Sequence, residues 1–232
     1  MMRFIRKIIT FILLLVFISI GLFTVAGWLK YKKVTSAIPI DVAVVNIKNS
    51  EHYTTSDKIS ETFINAMVAV EDKRFFQHSG IDFIGVIRAI GKNMKEKSFS
   101  EGGSGITQQL AKNIYFINDN TITRKIAEVF VTVELEKKLT KDEILELYFN
   151  VIYYGSGYYN VYDASKGYFN KMPSELTDYE ATLLAGIPNA PSVYSLKNNP
   201  DLAKKRQRTV VNAMVNMDYL TKEEANAIIA QQ

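Results

Sequence analysis

The residues able to do chemistry in this sequence are two carboxylates, several cations and a glycine-rich turn. In Ser60-Glu-Thr-Phe-Ile-Asn-Ala-Met-Val-Ala-Val-Glu-Asp72, residues Ile64, Met67, Val68 and Glu71 recur at helical spacing, so a carboxylate continues an apolar stripe. Desolvation on such a face raises a carboxyl pKa and suits Glu71 to general-base work near neutral pH. The plain alternative is a helix-end glutamate turned into solvent. The segment Glu101-Gly-Gly-Ser-Gly-Ile-Thr-Gln-Gln-Leu-Ala-Lys-Asn113 is a glycine-rich loop running into a predicted helix, whose first amides can bind phosphate or carbonyl oxygens. Gln108 and Lys112 are four apart and can point at one ligand. A flexible turn before an exposed polar helix face is the competing reading. The P-loop pattern is not met, because no lysine follows the glycines in the required place.

In Thr123-Arg-Lys-Ile-Ala-Glu-Val-Phe-Val-Thr-Val-Glu-Leu-Glu136, Ile126, Val129, Phe130 and Val133 are the predicted buried stripe. Arg124 and Glu128, four apart on another face, read either as a surface ion pair worth under about 1 kcal/mol or as a guanidinium and second carboxylate at a cleft. His78, in Phe75-Phe-Gln-His-Ser-Gly80, reads as a structural hydrogen-bonding group. With His52 the sole other histidine, a zinc site or serine–histidine triad has little support. The chain has no cysteine, which excludes disulfides, thiolate metal sites and cysteine nucleophiles. A net charge of +4 fits an anionic membrane surface or a phosphate-bearing substrate and argues little for nucleic acid, which is not expected as a partner.

These residues need elements to hold them. After Arg3, Arg6 and Lys7, an uncharged apolar run from Ile8 to Leu29 ends at Trp28-Leu-Lys-Tyr. About 20 such residues span a bilayer core of roughly 30 Å, and the run is longer than a signal peptide's, so it reads as an uncleaved anchor. Lysines flank its far end too, which leaves the sidedness open on charge alone. We divide the 232 residues into an anchor (1–33), a tether (34–53) with a short strand predicted at Val42–Ile47, and a mainly helical domain (54–232). Thr140/Glu143, Thr177/Glu180 and Thr221/Glu224 have capping-box spacing ahead of helical runs. The basic amphipathic stretch Gly85 to Lys97 fits either a helix dipping into the membrane interface or a solvated helix packed on the core.

Taken in order, these blocks resemble the peptidoglycan glycosyltransferase domain of monofunctional transglycosylases and class A penicillin-binding proteins. They are Glu71-Asp-Lys-Arg-Phe-Phe-Gln-His-Ser-Gly-Ile-Asp82, Gly102 to Asn113, Arg124-Lys-Ile-Ala-Glu128, Lys141 to Asn150 and Leu184 to Pro191, with Arg206 late in the chain. The resemblance implies a mainly α, lysozyme-like glycosyltransferase domain after one N-terminal transmembrane helix, with its catalytic domain outside the bacterial cell membrane. It implies lipid II and a growing lipid-linked glycan strand as partners, with inverting transfer and loss of undecaprenyl pyrophosphate. It gives Glu71 as general base and Glu128 as the second carboxylate, near the pyrophosphate or a metal ion. Lys112 and Arg124 would neutralise the pyrophosphate, and Gln108, Gln109 and Arg206 would contact substrate. A divalent cation, magnesium or manganese, is the expected cofactor. No serine transpeptidase module is expected in these 232 residues, so crosslinking would fall to penicillin-binding transpeptidases as partners.

Two positions depart from the family pattern. Gly105 stands where threonine is usual, which removes a hydroxyl and adds backbone freedom. Asn120 aligns with a frequent arginine, and losing that cation should weaken pyrophosphate binding by about 1–3 kcal/mol. The rival classes are a glycan hydrolase using two carboxylates, and a non-catalytic lipid II-binding scaffold. The cations argue against the first, and the retained Glu71 and Glu128 against the second.

Overall fold

Helix is the sole regular structure longer than one turn among the described residues, which in this computed structural model are 2–96 and 103–231. The chain order is α1 (Met2–Ala37), α2 (Ile40–Lys48), α3 (Glu61–Glu71), α4 (Phe83–Glu96), α5 (Ile106–Tyr115) and α6 (Ile122–Lys138). There follow α7 (Lys141–Phe149), α8 (Val161–Phe169), α9 (Asp178–Ala185), α10 (Pro200–Val215) and α11 (Lys222–Ile229). Glu101 and Gly102, at the head of the glycine-rich loop, and Lys97 lie outside the described residues.

The three predicted capping boxes all form, at the starts of α7, α9 and α11. Each satisfies two backbone donors that the first turn would leave open. Around α3 the core closes: its Phe63, Ala66, Met67, Val68 and Ala69 are buried, and α9 and α10 pack beside it. Two alanines on that face let neighbouring helices approach. Glu136 of α6 ties two further helices to its own, because its Oε1 accepts from Thr107 of α5 at 2.5 Å and from Lys141 of α7 at 2.7 Å.

The strand predicted at Val42–Ile47 is instead the helix α2. Ile40, Ala43 and Val44 are its buried residues, at helical spacing, and they join the core. The β-branched preference of Val42, Val44 and Val45 spans only about 1 kcal/mol, whereas each buried aliphatic side chain gains about 1.5–3 kcal/mol. Burial wins. The segment 34–53 is accordingly helical over most of its length, since α1 also runs on to Ala37.

The predicted stripe on α6 is corrected as well. The core takes Ala127, Glu128, Val131, Thr132 and Leu135, while Val133 is exposed. Ile126 and Phe130 turn towards α1, which lies along α6. A periodicity count finds the most apolar face of a helix but does not say which neighbour covers it.

Arg3–Ala37 is the one helix among the described residues long and apolar enough to cross a membrane, with mean hydropathy 2.9. On α4, Phe83, Ile84 and Ile87 are exposed, and Ala89 is its one buried residue among the described side chains. The apolar side of this helix is therefore not packed on the core.

Candidate active site

All seven residues singled out from the sequence line one cleft of about 830 Å³: Glu71, Gln108, Gln109, Lys112, Arg124, Glu128 and Arg206. Four elements bring them there. Glu71 ends α3, the glutamines and Lys112 come from α5, Arg124 and Glu128 from α6, and Arg206 from α10.

Glu71 is placed as the apolar stripe predicted, with its side chain 8% exposed. Gln109 Nε2 donates to its Oε2 at 2.7 Å, and Tyr148 orients that amide by donating to Gln109 Oε1 at 3.0 Å. The other carboxylate oxygen, Oε1, is buried and has no hydrogen-bond partner. Its nearest cation is Arg206, with Nη2 at 3.9 Å. Burial pushes the Glu71 carboxyl up from its ordinary value. The Gln109 bond and the Arg206 charge pull it down in part, and the neighbouring Asp72 charge pushes it up further. A carboxylate with one free, desolvated oxygen at a cleft wall is ready to accept a proton.

Glu128 is held in the opposite way. Its side chain is 1% exposed, on the core side of α6 and not on the wet face. Arg124 bonds to Oε1, and Lys125 Nζ lies 3.2 Å from Oε2. Lys125 also donates to Ser104 Oγ at 2.6 Å and so reaches the glycine-rich loop. Sequence reasoning missed Lys125, because adjacent helical residues point about 100° apart and pairing was sought at four-residue spacing.

Asp72 is the other residue that sequence reasoning left without a role. Its Oδ2 accepts from the Ile106 amide at 3.0 Å, at the start of α5, and both its oxygens lie near His78 Nε2, at 3.0 and 3.1 Å. The neighbour of Glu71 thereby fixes the helix that carries Gln109. Gly105 gains a reason here. Its φ of −74° is open to any residue, so backbone freedom is not the point. A Cβ there would run into Asp72 Oδ2. Space is what the glycine supplies. Asn120 is exposed, and the preceding Asp119 is paired with Lys30 of α1.

The donors do not fit a metal held by protein groups alone. No cluster of three or more histidine, aspartate or glutamate residues able to hold an ion occurs among the described residues. Both oxygens of Glu128, the expected ligand, already face cations.

A cleft between helices, with a buried carboxylate on one wall and cations on another, suits proton transfer on a substrate that carries negative charge. Comparison with known proteins names the family. Residues 41–215 match the family Transglycosylase, and the chain belongs to that family of glycosyl-transferring enzymes. A protein of Cupriavidus necator, named as a transglycosylase, is 41% identical over 189 residues, which are 82% of this chain and 81% of that one. Penicillin-binding protein 1A of Neisseria lactamica is 42% identical over 180 residues, 78% of this chain but 23% of its own length. The chain thus spans about a quarter of that larger relative. The crystal structure of penicillin-binding protein 1A from Haemophilus influenzae is 21% identical, with a TM-score of 0.46, over 78% of this chain and 17% of that one.

Proposed function

We propose that this transglycosylase polymerises lipid II on the outer face of a bacterial membrane. The observation that carries the reading is the unpartnered Oε1 of buried Glu71, in the same cleft as Lys112, Arg124 and Lys125. Glu71 takes the proton from the acceptor sugar hydroxyl as that oxygen attacks the anomeric carbon of the lipid-linked donor. The bond to the pyrophosphate oxygen breaks, the anomeric centre inverts, and undecaprenyl pyrophosphate leaves. Lys112, Arg124 and Lys125 neutralise the charge that builds on the diphosphate, in a site arranged before the reaction. Glu128 holds Arg124 and Lys125 in place. Gln109 aims the base, and Gln108 and Arg206 contact substrate from either side.

The cations favour polymerisation over hydrolysis. A two-carboxylate glycosidase needs its second carboxyl as proton donor or nucleophile. Glu128, bonded to Arg124 and beside Lys125, is suited to neither. The exposed Phe83, Ile84 and Ile87 of α4, beside Arg88, suit a helix lying in the lipid interface next to the cleft. A lipid-linked substrate would reach the site from there.

Purified protein given lipid II in detergent tests the reading. Wild type should build long glycan strands, and Glu71→Gln should lose about 10²–10⁴ of the rate. Wild type that binds lipid II but yields no strand would replace the polymerase with a scaffold. Shortening of preformed strands would replace it with a hydrolase.

A further inference from the structure

The broadest helix pairing among the described residues joins the apolar helix α1 to α6, the element that carries Arg124, Lys125 and Glu128. Gly27, Lys30, Tyr31 and Val34 form a helical stripe that is covered or partly covered, on a helix otherwise largely exposed. A Cβ at Gly27 would press into the Ile126 side chain, so the two backbones approach as closely as glycine allows. Tyr31 stacks on Phe130 with centroids 5.7 Å apart, and its hydroxyl donates to Glu134 Oε2 at 2.7 Å. Beyond the paired stretch, Lys138 donates to Asp41 at 2.7 Å.

The order of these pairings, 27 with 126, 31 with 130 and 134, 41 with 138, makes α1 and α6 parallel. The N-terminal end of α6, where the cleft cations sit, therefore lies towards the apolar span. Arg124 precedes Ile126 by two residues, about 3 Å along the axis, which puts its backbone near the level of Val25, about one turn before the end of the apolar run at Leu29. One side chain grips that end. Lys30 Nζ donates to Asp119 Oδ2 at 2.5 Å and to Thr121 Oγ1 at 2.8 Å, and Thr121 is the residue whose hydroxyl caps α6 at the Arg124 amide. The Lys30 bond, with those from Thr121, holds the Asp119 carboxyl below the usual carboxylate range.

We infer that α1 is a depth gauge: its Lys30 clamp on Asp119 and Thr121 holds Arg124 and Lys125 at a fixed level beside the C-terminal end of the apolar span, where a lipid-linked diphosphate arrives. Lys30 and Asp119 are then positioning residues. The inference rests on the lipid II reading for its substrate, but the depth itself does not.

The absence of cysteine allows one nitroxide to be placed at Ile122→Cys, a side chain 68% exposed at the start of α6. The whole chain is reconstituted in phosphatidylcholine–phosphatidylglycerol vesicles. Label depth is read from its accessibility to oxygen against a water-soluble nickel chelate, and KM and kcat are read with lipid II in the same vesicles. Lys30→Ala and Asp119→Ala should each raise nickel accessibility and raise KM about threefold or more, with kcat kept within about twofold. Lys30→Arg, which keeps both donors, should restore the wild-type values. Unchanged depth and unchanged KM in both alanine variants would overturn the inference. So would a fall in kcat and Tm at constant depth, which a merely adhesive bond would give. Wild type that makes no glycan would sink the polymerase reading instead, and the nitroxide would still report whether the gauge exists.

Discussion

Glu71 and Glu128 line the same cleft with side chains only 8% and 1% exposed, yet their surroundings hold them in opposite ways. Around Glu71 there is one amide bond and a guanidinium at 3.9 Å, and one oxygen is left without a partner. Around Glu128 there are two cations, one bonded directly and one 3.2 Å from the second oxygen, which likewise makes no hydrogen bond, so the two walls differ in how closely cations approach the carboxylate. A buried carboxylate with only partial compensation is less stable as an anion and therefore more ready to take a proton. A buried carboxylate with two cations is a structural anchor for those cations. Identical residue types thus serve proton transfer at one wall and charge placement at the other.

Mutation to glutamine should separate the two walls most sharply, because stability should move in opposite directions. Glu71→Gln removes a buried charge that is only partly compensated, so above the raised pKa it should increase stability while it cuts turnover by about 10²–10⁴. Glu128→Gln strands Arg124 and Lys125. It should lower stability by about 1–3 kcal/mol, a figure reduced because Lys125 is 47% exposed. Thermal unfolding in detergent reads both, and changes of the same sign would dissolve the contrast.

The pH profile is the next test. A carboxyl whose folded-state value is raised binds its proton more tightly in the native state than in the unfolded chain. Its contribution therefore lowers stability as pH climbs from the ordinary 4.5 through the raised value, and the penalty is fully present above it. Catalysis runs the other way, because the base works only when ionised. The acid limb of kcat/KM should lie above the ordinary carboxylate range, and Gln109→Leu should move it higher by removing the bond that favours the anion. A limb that stays put would detach Gln109 from the base.

Gly105→Ala probes the support beneath Glu71. The added Cβ meets Asp72 Oδ2, so we expect about 1–3 kcal/mol of destabilisation, measured by thermal unfolding, with a smaller loss of rate than from Glu71→Gln. Chelation should do least. With Arg124, Lys125 and Lys112 at the cleft, EDTA should slow lipid II polymerisation by less than about tenfold, and a larger loss would give a divalent ion a role that these donors do not explain.

Much of this cleft was legible beforehand because its logic is local. Glu71 closes an apolar helical stripe, Gln108 and Lys112 share a face four residues apart, and three threonine–glutamate pairs cap their helices as written. These patterns depend on the 3.6-residue period and on the unpaired amides of a first turn, which are properties of the chain itself. The family pattern then supplied the order of the blocks.

What the sequence alone determined is which residues are chemically able to act, where the apolar span lies and where helices begin. Tertiary structure alone decided that Val42–Ile47 coils into the core, that Ile126 and Phe130 meet α1, that Lys125 joins Arg124 on Glu128, and that Asp119 belongs to Lys30. Each depends on a partner some distance along the chain or on which of two faces is covered. Local preferences differ by about 1 kcal/mol or less, and burial against a distant neighbour outweighs them.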